Sequence, residues 1–258
     1  MSEPVTDPAL QPAAPPQTPA LSQWQRVTNV FTAPSKTFID IRDHSRSWWL
    51  PFVIIVVTGA ILFAAVTTRV TWRGVYENQQ RAMPEFAKRM MDQMTPEQRA
   101  KADRQGPINQ EVTWALSPAG LLVINLLVAL VLWPTINFGF GGRANYRSIL
   151  AVTMYAALAV WPIKLLLGAI ALLVGSDPAA FDPSNVAGTN IAYYLEQRSG
   201  PLYVLAKAID PLDIWCMCLT AIGVSIVAKT KRASGYIAVF GWWALIILCF
   251  VGLGAAFA

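Results

Sequence analysis

Asp210 and Asp213 stand three residues apart in the stretch KAIDPLDIWCMCLTAIG, residues 207 to 223, with Cys216 and Cys218 just after them. Carboxylates and thiols this close raise three kinds of chemistry: a metal or redox centre, a proton path, or a charged contact inside a membrane. Residues three apart share a helical face, so Asp210, Asp213 and Cys216 form one line. Cys218 lies about 200° around the axis from Cys216, and the two thiols cannot share a metal within one helix. Cys249 is the third cysteine and His44 the sole histidine. That is too few ligands for zinc or a histidine-dependent triad, so no metal or other cofactor is expected.

The basic partner for these acids is Lys164, deep in the apolar run VWPIKLLLGAIALLVG. At 1.5 Å per residue it lies ~24 Å along its helix from Ser148, a depth that agrees with Asp213. Its flexible stem lets the ammonium reach outward. A lone charge in a bilayer costs several kcal/mol, so a Lys164–Asp213 contact is expected, with Asp210 as the other possible partner. Three readings stay open: a proton or solute relay, a structural pair fixing the register of two spans, or interfacial placement without a pair.

Two further patterns are weaker. Met83, Met90, Met91 and Met94 would suit Cu(I), but a methionine stripe is more often adaptable packing against a partner or lipid. The glycines of GFGGR (139–143) lack the Lys-Ser/Thr of a phosphate cradle and read as a tight turn. With no nucleophile elbow or dinucleotide fingerprint in view, an enzyme is not expected.

The elements that must position these groups follow from composition. Of the 258 residues 55% are hydrophobic and 14% charged, against about a quarter charged in soluble domains. A membrane protein is the class this favours. The net charge of +5 does not imply nucleic acid, because the basic residues flank apolar runs and the aromatics sit within those runs. A span needs about 20 apolar residues to cross about 30 Å of hydrocarbon. Five stretches qualify, at about 48–68, 116–138, 148–174, 209–228 and 236–257, giving an all-α membrane domain over 48–258.

Ahead of it, residues 1–22 are rich in Pro, Ala, Gln and Thr and read as a disordered tail with no secretory signal. Residues 23–47 read as two interfacial amphipathic helices divided at Pro34, with Trp24, Val27 and Phe31 on one face. Between the first two spans a polar insert, 69–115, reads as helical and extracytoplasmic, with TPEQ (95–98) as a capped helix start. A second insert, 175–206, is broken by Asp-Pro and Gly. Lys and Arg before span one, between spans two and three, and between four and five fall on one side of a five-span chain. That side is expected to be cytoplasmic, with the C-terminus opposite. The first insert carries eight basic residues among six acids; its length is taken to reduce their weight.

The order of motifs resembles prokaryotic members of the YIP family, relatives of the eukaryotic Ypt/Rab-GTPase-interacting membrane proteins. The similarity lies in VFTAP with Pro34 and a later Phe38, then in Trp-Trp-Leu-Pro entering span one. It continues in GGRANYRSILAVTMYAALAVWPIKLLLG, with Gly142, Tyr146, Arg147, Tyr155 and Pro162. It closes in IDPLDIWCMCLTAIGVSIVAKTKRASGYIAV, with Asp210, Asp213, Trp215 and Gly223. The resemblance implies five helices, a cytoplasmic N-terminus and no catalytic residues. The chain lacks the Asp-Leu-Tyr-Gly-Pro and Tyr-Gly-Tyr signatures of the eukaryotic relatives, which argues against small-GTPase binding. The expected role is to scaffold or regulate a membrane partner, such as an ABC-type exporter, through exposed basic turns and surface helices. A small-solute or ion transporter or channel using Lys164, Asp210 and Asp213 is the alternative. The expected setting is the plasma or inner membrane of the cell.

Overall fold

A computed structural model describes residues 19–83, 85–195 and 200–256, and its described residues are helices joined by turns. Residues 1–18 of the expected tail lie outside the described residues. Helix α1 (Gln23–Thr32) opens with a capping box: Ser22 Oγ accepts from the Gln25 amide while the Gln25 side chain accepts from the Ser22 amide. Pro34 starts α2 (Pro34–Asp43) at its first turn, where a missing N–H costs nothing and the fixed φ already suits a helix. The two helices fold onto each other as a hairpin.

The apolar runs become α3 (Trp49–Arg69), α7 (Ser117–Pro134, extended by a π-helical turn to Gly139), α8 (Tyr146–Val174) and α11 (Arg232–Ala256). All four are long and apolar enough to cross a membrane. The fourth expected span, 209–228, is the continuous helix α10 (Pro211–Val227); ahead of it, in the second insert, stands a further helix, α9 (Pro201–Ala208), and the two are bent by 59° at the short break between them. The reason is local: a residue before proline is pushed out of the helical region, and Asp210 is extended there and caps α10 instead. At 17 residues α10 is only ~25 Å long, so a fifth crossing exists only if the bent pair counts as one span.

The insert after span one holds three helices, α4 (Trp72–Arg81), α5 (Glu85–Asp92) and α6 (Pro96–Ala115). The methionine pattern and TPEQ point to the last two alone. Helix α4 has no such signature; its cap, Thr71, sits at φ 66° with its hydroxyl accepting from the Gly74 amide. The insert is tied to the bundle by an aromatic chain from Phe63 through Trp72 and Trp114 to Phe181, with ring separations of 4.8, 5.8 and 6.1 Å. Asn78 adds hydrogen bonds to the carbonyls of Pro178 and Phe181.

Helix α8 is the axis of the molecule. From Ser148 to Val160 every side chain is buried, and α3, α7, α10 and the hairpin all pack on it. Helix α11 lies at the edge against α9 and α10, with Ile237, Leu245, Ile246, Leu248 and Phe250 exposed. An apolar surface of this extent is what a lipid-facing helix presents.

Candidate functional site

Two charged clusters are built into this apolar frame. The first forms where α10 begins. Asp210 is 1% exposed, and its Oδ1 accepts from the Leu212 amide at 2.9 Å, the ordinary helix cap. Its Oδ2 accepts from the Thr189 hydroxyl at 2.6 Å and lies 2.8 Å from Lys164 Nζ. The same ammonium lies 2.6 Å from Asp213 Oδ1 and 6.0 Å from the Trp161 ring centre. The structure thus brings Lys164, Asp210 and Asp213 together, with Lys164 between the two acids. They are unequal partners, since the Asp213 side chain is 48% exposed and that of Lys164 14%.

Thr189 belongs to the loop after α8, so the cluster joins three parts of the chain. The loop is itself braced: Asn185 and Asn190 exchange side-chain amide bonds at 3.1 and 2.9 Å, and the Ile191 amide donates to the Ile209 carbonyl. Cys216, Cys218 and Cys249 are free thiols, the last exposed. No group of three or more His, Cys, Asp or Glu residues suited to a metal occurs among the described residues. Met90 and Met94 of the insert are both exposed.

The second cluster seats the hairpin, and sequence reasoning missed it. Arg26 on α1 and Asp40 on α2 are 2% and 3% exposed and form a salt bridge through Arg26 Nε and Asp40 Oδ2. Asp40 Oδ1 also accepts from the Leu21 amide at 2.9 Å and lies 3.1 Å from His44 Nδ1. Thr37 donates to the Arg26 carbonyl at 3.0 Å. The hairpin's buried side is therefore Arg26, Val30, Thr37, Phe38, Asp40 and Ile41, while of the face predicted from Trp24, Val27 and Phe31 only Val27 is half-buried against the core and the other two are exposed. A usable signal was present: Arg26 and Val30 are four apart, and Asp40 is flanked by Phe38 and Ile41. Each helix thus carries one charge, of opposite sign, inside an apolar stripe.

Several residues singled out by motif order line this seat. Pro34 starts α2. Tyr155, fully buried on α8, donates to Gln23 Oε1 at 3.0 Å. The Trp215 ring lies 6.1 Å from that of Phe31. Gly223 faces the hairpin without a side chain; a Cβ there would overlap Val152 and come within 3.0 Å of the Phe38 ring. Gly142 serves the neighbouring turn, where a Cβ would lie 2.9 Å from the Ile136 carbonyl and 3.0 Å from Ala228. Pro162 is buried within α8 beside Trp161, whereas Arg147 is exposed in its first turn.

Long apolar helices around one buried axis, with their internal charges paired off, define an all-α multi-pass membrane protein that sits in a lipid bilayer. The family model of the Yip1 domain matches residues 28–253, nearly the whole described chain, and the chain belongs to that family. The family is membrane-associated and, in general, non-enzymatic. No curated protein and no solved structure matches the chain.

Proposed function

We propose that this is a non-catalytic cell-membrane protein that scaffolds or regulates a membrane partner, such as a transport complex of the ABC-exporter type. The observation that carries the reading is the hairpin's attachment. A buried Arg26–Asp40 pair and an apolar face fix α1 and α2 to α8 and α10, while Trp24, Phe31 and Ile39 remain exposed. A rigid, outward-facing element on a lipid-embedded bundle suits docking rather than turnover. The basic segments at the hairpin end support a cytoplasmic setting for it, and an opposite setting for the C-terminus if the bent pair crosses. Purification of tagged chain in mild detergent tests this. A stoichiometric membrane partner, lost on Trp24→Ala/Ile39→Ala with the fold intact, is expected; its retention by that variant overturns the reading.

A second reading, small-solute or ion transport, is favoured by the break between α9 and α10, because charged groups at interrupted membrane helices often line transport sites. Its test is flux into liposomes holding the purified chain, with Lys164→Met as comparison. The mutual neutralisation of Lys164 by two acids supports a structural lock more strongly.

A further inference from the structure

At the hairpin end three segments distant in sequence meet. The Arg143 amide donates to the Ala228 carbonyl at 3.0 Å, tying the turn before α8 to the turn before α11. Arg232 Nη2 reaches Ser35 Oγ at 3.3 Å, tying the latter to the start of α2. The Asp43 carboxyl is held below its usual range by Arg42 first, against the opposing effect of burial, with smaller help from His44 and then Lys229.

The meeting gathers cations without matching acids. Lys229, Lys231 and Arg232 are exposed on one turn, Arg143 and Arg147 on the next, Lys36 on the hairpin and Arg46 just after it. Only two described acids belong to this end: Asp40 is consumed by Arg26, and Asp43 is held by Arg42 through two bonds of 2.7 Å. A topology signal asks only for basic residues near span ends. It does not ask that separate segments be tied into one patch. Lys229 adds a second sign of purpose. It occupies the left-handed position that ends α10, with φ 56°, where glycine is favoured and another residue costs ~1–2 kcal/mol. A long cation is kept there, exposed.

The neighbours of these cations indicate what they meet. Each basic segment has an exposed aromatic within a few residues on its membrane side: Trp49 beside Arg46, Phe138 beside Arg143, and Tyr236 beside Arg232. On a protein-binding surface aromatics gather at the centre with charges around them. Here the rings sit at the span ends and the charges beyond them, the order of the acyl boundary and the phosphate layer.

We propose that this patch binds the phosphates of anionic phospholipids, clamping the hairpin and both turns to the headgroup layer of one leaflet. The assay is native mass spectrometry of the full chain released from bilayers of equal phosphatidylglycerol and phosphatidylcholine, counting retained lipids. The wild-type chain is expected to keep phosphatidylglycerol preferentially, with the preference falling as salt rises. Lys229→Gln/Lys231→Gln/Arg232→Gln should lower the preference by roughly tenfold or more. Arg73→Gln/Arg99→Gln, at the insert, should leave it unchanged. Equal retention of both lipids by the wild type overturns the proposal, as does an equal loss in the insert variant. Full displacement of the lipid by inorganic phosphate also overturns it, since that marks a free-anion site. Should the triple variant not fold, the wild-type preference and its salt dependence still decide.

Discussion

Replacing Asp40 with alanine tests the hairpin seat most directly. Arg26 is 2% exposed and would keep its charge inside a site that no longer neutralises it, while the Leu21 amide and His44 also lose their acceptor. Removing one partner of a buried ion pair costs about 3–5 kcal/mol. If the hairpin and bundle melt together, this lowers the transition by about 6–20 °C, at about 2–4 °C per kcal/mol for a domain of this size. If the hairpin releases alone, the undocked fraction rises ~100-fold or more, at about 1.4 kcal/mol per tenfold. Limited trypsin digestion in detergent, followed at Lys36 and Arg42, reads the second case, because cleavage tracks the open population when reclosing is fast. The control is Arg26→Met/Asp40→Leu, which removes both charges and should restore protection, as apolar replacements of buried pairs are often neutral or stabilising. Wild-type cleavage rates for Asp40→Ala would refute the reasoning. So would a double variant cut as fast as the single one.

Three other outcomes are expected. Asp210→Asn should lower the unfolding temperature in detergent by far more than Asp213→Asn, because Asp210 is buried and bonded by Thr189 whereas the Asp213 side chain is half exposed and its loss leaves Lys164 paired with Asp210. Gly223→Val should cost about 1–3 kcal/mol through overpacking against Val152 and Phe38, read as faster proteolysis of α1 and α2. In a chain freed of its three cysteines, an impermeant thiol reagent should label Ser35→Cys and Lys231→Cys from one side of the membrane and Gln105→Cys from the other.

The long helices were legible because about 20 apolar residues in a row have few other uses. Helix α9 was less so: it falls in an insert punctuated by Asp-Pro and Gly, and the bend that follows it is decided by one residue's backbone preference at the Asp210–Pro211 step. For the Lys164 cluster, matched depth along two helices was enough to suggest the neighbours. What depth cannot supply is rank. That Asp210 is the sealed partner follows from Thr189 closing over it, and a loop's path leaves no periodic trace. The Arg26–Asp40 seat was hidden by its surroundings, since Trp24, Val27 and Phe31 form the more conspicuous stripe. Helix α4 was missed because WRGVYENQQR is polar almost throughout and is held by Trp72 against Phe63 and Trp114 and by Asn78 against residues a hundred positions later.

The hairpin's seat has a consequence for biosynthesis. Its walls are α8 and α10, and the second is complete only at Val227, almost two hundred residues after α1 ends. At ordinary translation rates the ribosome needs ~10–40 s to cover that distance. Until then the hairpin lacks its α10 wall, so the first helices made are among the last to be fully enclosed.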